Sequence, residues 1–273
     1  MPEAGGVQNT VMSQFKSPPK KNLGQHFLTD AGIIEQILQA LDPKPGDVLV
    51  EIGPGQGAIT FPILKRHGSL TVIEFDRDLI TPLSESAHGI GELTIVHKDV
   101  LQVDFDKLAG ENQIRLIGNL PYNISTPILF HVLSHCQRVR DMHFMLQKEV
   151  VERMAAEPGS KVYGRLSVML QAVCEVFPLF DVPPHCFNPP PKVNSAVVRL
   201  IPRSAGENGL LDAGKFEEVV RDAFSQRRKT LRNALSKVCT SDQLLAAGIK
   251  PELRAEQVSV QSFIRLANSL STP

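Results

Sequence analysis

The chain has 273 residues, enough for one α/β domain plus a smaller second one. Net charge is zero and hydrophobic residues make up 42%, so the composition supports a buried core without announcing a nucleic-acid binder. No apolar run is long enough to span a membrane. Cys136, Cys174, Cys186 and Cys239 are scattered, with no Cys-x-x-Cys pair, which argues against a zinc site or a redox dithiol.

The first 21 residues contain neither an apolar signal core nor an arginine, so a cytoplasmic protein is expected. Residues 1–20, rich in Gly, Pro, Ser and Gln, are expected to be a disordered extension. Asp30 to Leu41 then carries Ile33, Ile34, Ile37, Leu38 and Leu41 at helical spacing, and Asp42-Pro43-Lys44-Pro45-Gly46 stops it. Asp47 to Ile52 reads as a strand, followed by the glycine turn Gly53-Pro54-Gly55-Gln56-Gly57 and a helix from Ala58 to Arg66. Leu70 to Phe75 is the second strand. Asp76-Arg77-Asp78 opens the next helix with acids at its positive end. Strands follow at Leu93–His97, Ile114–Gly118 and Met142–Leu146, with helices at Thr126–Ser134 and Gln147–Ala156. This alternation predicts a doubly wound, mostly parallel α/β sheet of Rossmann-like type.

After Gly164 the pattern changes. A helix at Leu166–Val173 precedes strands at Cys174–Phe180 and Asn194–Ile201, read as an antiparallel hairpin at the sheet edge. From Asp212 onward every segment is helical: Lys215–Ala223, Thr230–Val238, Ser241–Ala247 and Val260–Leu270. The expected division is therefore 1–20, a catalytic domain over 21–204 and a small helical domain over 205–273. That last stretch holds 10 Lys/Arg against 8 Asp/Glu, whereas the rest holds 19 against 21, so a basic surface can hide in the neutral total.

Four strand ends carry candidate chemistry. The glycines let the backbone turn sharply and approach a ligand closely, and Glu74 can accept both hydroxyls of a ribose. These two features define an adenosine-type cofactor, NAD and S-adenosylmethionine alike. Asp99, ending the third strand, can accept from an adenine amino group, although a lone aspartate there is more often a turn former. Asn119-Leu120-Pro121-Tyr122 ends the fourth strand, where open α/β sheets place ligands. An amide, a carbonyl held by a proline and an aromatic ring can grip a planar amino group and stack on its ring. Alone, the tetrad is equally a tight turn with a core tyrosine.

In this order the segments resemble a known family. Asn22-Leu23-Gly24-Gln25-His26-Phe27-Leu28, Glu51-Ile52-Gly53-Pro54-Gly55, Val72-Ile73-Glu74-Phe75-Asp76, Asp99-Val100, Gly118 to Ser125 and Phe187-Asn188-Pro189-Pro190-Pro191-Lys192-Val193 resemble the ribosomal RNA adenine N6,N6-dimethyltransferases. Within that family the likeness is greatest to the bacterial small-subunit group linked to kasugamycin sensitivity. It covers the chain from about Lys20 to the C-terminus. His26 is a departure, since many relatives carry asparagine there.

The resemblance implies S-adenosylmethionine as cofactor. His26 and Leu28 would close over it, Gly53 and Gly55 would pass under its methionine part, Glu74 would hold the ribose and Asp99 the adenine. The Asn119 side-chain oxygen and the Leu120 carbonyl would accept from the target amino group, with Pro121 fixing the turn. Tyr122 would stack on the base with Phe187 on the opposite face; the ring, not the hydroxyl, would do the stacking. The implied reaction is dimethylation of two adjacent adenosines in the 3′-terminal hairpin loop of small-subunit rRNA. The expected partner is that rRNA, free or in the immature small subunit, and a monomer is expected. The rivals are a large-subunit adenine dimethyltransferase, a non-catalytic nucleic-acid-binding relative and, more remotely, a dehydrogenase.

No metal is expected: the eight histidines do not cluster at ligand spacing, and His131 and His135 have no acid close by in sequence. Arg227, Arg228, Lys229 and Arg232 share one sign in the helical stretch and are read as phosphate contacts, against the commoner alternative of a solvated face.

Overall fold

The computed structural model describes residues 19–20, 24–204, 206–226 and 228–271. The chain forms two compact units, one running to Lys148 with Leu179–Arg199, the other Glu149–Pro178 with the chain from Leu200 onward. Among the described residues no helix is long and apolar enough to cross a membrane.

In the first unit, β1 (Phe27–Leu28) leads to α1 (Ala31–Leu41), β2 (Val48–Ile52), α2 (Thr60–His67), β3 (Ser69–Glu74), α3 (Arg77–Ala87) and β4 (Glu92–His97). Next come α4 (Phe105–Ala109), β5 (Ile114–Asn119), α5 (Ser125–Leu133) and β6 (Val139–Gln147). Local chemistry sets the helix ends. The Asp30 carboxylate accepts from the Ile33 N–H at 2.9 Å and so caps α1, whose Ile33, Ile34, Ile37, Leu38 and Leu41 are buried as the spacing required. Asp76 caps α3 in the same way. The short α4, capped by Asp104, was not anticipated; its buried Phe105 is too brief a pattern to read as a helix.

Strand order is β4-β3-β2-β5-β6-β9-β7, where β7 is Cys174–Val182 and β9 is Ser195–Pro202. The pairs β4-β3, β3-β2, β2-β5 and β5-β6 are parallel. The chain runs outward from β2 through β3 to β4, then returns to β5 on the other side of β2. The switch point thus lies between the ends of β2 and β5, where ligands collect. A Cβ on Gly118 would stand 2.4 Å from the Ile52 carbonyl oxygen, so glycine lets these two strands approach. The two late strands hold adjacent places, with β7 at the edge. Their connection is more than a stiff link: β8 (Phe187–Asn188) pairs antiparallel with β1, Leu28 opposite Phe187.

The helical unit is larger than residues 205–273. Its core combines Ala156, Tyr163, Val168 and Ala172 with Phe216, Val219, Phe263 and Leu266. These come from α7 (Arg165–Val173), α8 (Ala213–Ser225), α11 (Val260–Ser271) and the segment before α7. The Tyr163 hydroxyl donates to the Val258 carbonyl at 2.9 Å and Arg165 pairs with Glu217 at 2.8 Å. A cut at 204 would strip α7 from the helices against which it buries its apolar face. α6 (Lys148–Met154) follows β6, and the short helices α9 (Leu231–Ala234) and α10 (Ser241–Ala246) complete the helical unit.

Candidate active site

A cavity of about 240 Å³ opens at the switch point. Its wall takes Gly53 and Gly55 from the turn after β2, Glu74 from the end of β3 and Asp99 from beyond β4. Asn119, Leu120, Pro121 and Tyr122 follow β5, and His26 comes from the N-terminal segment. All nine, named from the sequence, line this one cavity. Leu28 does not reach this cavity; it is buried and lines a small adjoining hollow with Gly53 and Gly55. Phe187 lies on neither wall. It is 3% exposed within the core of the first unit, so the expected ring opposite Tyr122 is not on the cavity surface. The reason is the β1–β8 pairing, which holds Phe187 against Leu28.

Gly55 has φ +55°, and a Cβ there would meet the Phe27 ring at 3.0 Å. Glycine therefore satisfies both the left-handed turn and the close cover of the N-terminal segment. That segment is strapped down: Lys20 Nζ pairs with Asp76 at 2.6 Å and Asp78 at 2.7 Å, and the Gln25 amide donates to Asp76 at 3.0 Å.

Glu74 is 6% exposed, and burial raises its pKa while the backbone N–H groups of Asp76 and Gly55 oppose the rise. Asp99 is a turn former that also faces the cavity. One carboxylate oxygen accepts from the Leu101 N–H at 3.0 Å and caps the following turn, and the residue also lines the cavity. Asn119 Nδ2 donates to the His26 carbonyl at 2.9 Å, leaving the side-chain oxygen as the group's acceptor. The Leu120 N–H donates to the Met145 carbonyl at 3.1 Å. The Tyr122 ring is half-buried, and the His26 imidazole lies 5.7 Å away, inclined by 25°. His26 Nδ1 meets the Pro189 carbonyl oxygen at 2.8 Å.

Three residues had no role assigned from the sequence. Phe75 is 60% exposed and lines the cavity next to Glu74; an exposed aromatic there gives a flat apolar face. Glu51 lines the small hollow, and burial pushes its carboxyl up to about 8, the Thr60 hydroxyl opposing and Glu74 adding. A single acid in a strand gave no sign of such burial. The third is Ser195, whose hydroxyl lies 2.6 Å from that of Tyr122.

The basic residues belong to the helical unit. Arg228, Lys229 and Arg232 are exposed, and among the described residues none of them is ion-paired; Arg227 lies outside the described residues. His135 does have an acid partner, brought from afar: its Nδ1 lies 2.9 Å from Asp106. Asp104, Asp106 and His135 place donor atoms within 4.8 Å of one another, but Asp104 is engaged in capping α4 and in an ion pair with Lys107.

Strand order, a cavity at the switch point and acids ending successive strands define a Rossmann-like site for an adenosine-type cofactor, which family membership makes S-adenosylmethionine, so the protein is an S-adenosylmethionine-dependent methyltransferase. The family model for "Ribosomal RNA adenine dimethylase" matches residues 17–272. The chain belongs to that family, and is an rRNA adenine dimethyltransferase. It is 66% identical over 256 residues to "Ribosomal RNA small subunit methyltransferase A" of Xanthomonas campestris pv. campestris (strain B100), covering 94% of this chain and 98% of that one. Among solved structures, it is similar to a dimethyladenosine transferase from Plasmodium falciparum, with a TM-score of 0.77 and 27% identity over 88% of this chain and 96% of that one. The 23S rRNA methyltransferase ErmE shares the fold, with a TM-score of 0.71 and 24% identity over 90% of this chain and all of that one.

Proposed function

We propose that this protein transfers methyl groups to the N6 amino groups of two adjacent adenosines in the 3′-terminal hairpin loop of small-subunit rRNA. It does so on the immature subunit, in the cytoplasm and as a monomer. The observation that carries this reading is the state of Asn119. The residue lines the cavity and its amide nitrogen is committed to the His26 carbonyl, which leaves its oxygen to accept. The name of the 66% identical relative supports the small subunit over the large one.

The cavity fits the cofactor. Glu74 and Asp99 offer acceptors for ribose hydroxyls and an adenine amino group, and Phe75, Val100 and Ile128 offer apolar surface between them. Glu51 adds a buried carboxyl beside the glycine turn, suited to a ligand with cationic groups. S-adenosylmethionine, when bound, supplies an electrophilic methyl on a sulfonium sulfur.

The residues of the chain do the rest. An adenine amino nitrogen is a poor nucleophile because its lone pair is delocalised into the ring. The Asn119 oxygen and the Leu120 carbonyl accept its two hydrogens, draw the lone pair out of conjugation and stabilise the positive charge that develops on nitrogen. Tyr122 stacks on the base and aligns it, and alignment lowers the barrier further. No general base is required before transfer, since the proton becomes acidic afterwards. A loop base leaves its stack at less cost than one in a helix.

The test is nucleoside analysis of small-subunit rRNA from cells lacking the gene, with and without the gene restored. Dimethyladenosine should vanish and return; its persistence in the deletion, or restoration of only the monomethyl form, would overturn the proposal.

A further inference from the structure

Tyr122 and Ser195 are 73 residues apart in sequence, yet their hydroxyl oxygens are separated by 2.6 Å. Stacking on a base needs the tyrosine ring and makes no use of its hydroxyl. The structure gives that hydroxyl a fixed partner, and the partner is well mounted. Ser195 is 0% exposed and begins β9, a strand flanked on both sides in the sheet. The carbonyl of its neighbour Asn194 accepts from the Lys148 N–H at 2.9 Å, which pins the start of the strand.

Tyr122 itself stands in a turn. The Ser125 hydroxyl donates to the Tyr122 carbonyl at 3.2 Å and the Ile124 N–H to the Pro121 carbonyl at 3.2 Å. These bonds fix the backbone and leave the two side-chain torsions of the tyrosine free. Two contacts restrain the ring: the His26 imidazole against its face and Ser195 at its tip. His26 sits in an irregular segment, whereas Ser195 sits on a strand, and a strand-mounted group holds geometry more tightly than a loop-mounted one.

We infer that Ser195 is a positioning residue for methyl transfer: through the hydroxyl pair it holds the Tyr122 ring in the attitude that receives the target base. The inference rests on the adenine-methylating reading above. The tip of the ring lies several bonds from the backbone, so a tether there converts a swinging plate into a fixed one. The base then stacks in one orientation, with its amino nitrogen set against Asn119 and Leu120. Without the tether the ring still stacks, but over a spread of angles, only some of which align nitrogen with the methyl donor. A merely structural Ser195 would satisfy a buried hydroxyl and contribute stability alone.

The test uses the full chain as wild type, Ser195→Ala, Tyr122→Phe and the double variant. The substrate is immature small subunits from cells lacking the gene. Each single change should lower kcat/KM about tenfold, with S-adenosylmethionine affinity by calorimetry unchanged. The double variant should lose about tenfold as well and not a hundredfold, because both changes break one bond. Singles that lower the melting temperature but keep kcat/KM would overturn the inference, as would a double loss equal to the product of the singles. Wild type that forms no dimethyladenosine on these subunits would instead sink the adenine-methylating reading itself.

Discussion

Replacing Glu51 with glutamine should stabilise the protein, increasingly so as pH rises. The Glu51 carboxyl is 1% exposed, and burial pushes its pKa from an ordinary 4.5 up to about 8, with the Thr60 hydroxyl bonded to it at 2.6 Å. Between those two values the unfolded chain has released a proton that the native protein retains. Stability therefore falls with rising pH across this window, by about 1.4 kcal/mol per pH unit. At neutral pH the accumulated loss is on the order of 3 kcal/mol. A glutamine amide keeps an acceptor for Thr60 and removes the titration, so most of that loss should be regained. Below the window the two proteins should converge.

His143 does not confuse the comparison. Burial lowers its pKa to about 4, so its contribution is present above an ordinary 6.5 and is lost as pH falls through 4, equally in both proteins. Urea denaturation followed by circular dichroism, without ligand, from about pH 5 to about pH 8.5 reads the difference directly. Parallel stability curves for the two proteins over that range would refute the reasoning. A residue that costs stability at neutral pH and lines the hollow beside the glycine turn is what a site residue looks like when activity and stability conflict.

Other perturbations separate the parts of the site. Glu74→Ala should weaken S-adenosylmethionine binding by about 2–4 kcal/mol in calorimetry, the loss of one or two charge-assisted hydrogen bonds; unchanged affinity would remove Glu74 from the cofactor's contacts. Asn119→Ala should slow single-turnover methyl transfer about 100-fold while sparing cofactor affinity, because it deletes an acceptor whose contact strengthens as charge develops. A variant that loses cofactor binding in proportion would assign Asn119 to binding instead. Away from the site, Arg115 is buried with Asp47 at 2.6 Å and Asp141 at 2.8 Å. Arg115→Ala should destabilise the protein by about 3 kcal/mol, since it removes the buried partner of both carboxylates and leaves Asp47 only the exposed Arg140 at 2.9 Å and Asp141 only Arg199 at 3.4 Å; a melting temperature within a degree of wild type would contradict that.

What the sequence disclosed follows from range. α1 was legible because its cap and its 3.6-residue apolar stripe lie within twelve residues. The parallel strands were legible because each is a short apolar run ending in turn chemistry. Glu74, Asp99 and Asn119 could be placed together because strand ends in such a sheet share one rim, so position along a strand stands in for position in space. The misses required pairings over long separations. Phe187 was expected, from the resemblance, opposite Tyr122, but β8 pairs with β1 and buries it. Ser195 read as the polar residue of an alternating strand, and only its distance to Tyr122 distinguishes it. His135 lacked an acid in sequence and gained Asp106 in space. The helical unit was drawn too small because an amphipathic stripe such as that of α7 shows that a face is buried without showing against what.

The basic run of the helical unit allows a test that does not depend on the catalytic chemistry. Arg228, Lys229 and Arg232 are exposed, whereas Lys215 and Arg221 of the same unit are paired with Glu218 at 2.7 Å and Asp222 at 2.9 Å. An unpaired surface cation keeps its full charge available, and at a phosphate it releases a condensed counterion. Each such contact contributes about 0.7–0.9 to the slope of log affinity against log salt. The Arg228→Ala/Arg232→Ala double variant should therefore bind rRNA more weakly and with a slope shallower by about 1.4–1.8, to a similar degree for any sequence. Cofactor affinity should not move. The Lys215→Ala/Arg221→Ala pair removes the same charge from groups already engaged, so its slope should stay near that of wild type. If both double variants shift the slope alike, net charge alone governs binding and the run is an ordinary solvated face. If neither shifts it, the rRNA contact lies elsewhere, and Arg138, Arg140 and Arg165, each of which would have to leave an acid partner, are the next cations to examine.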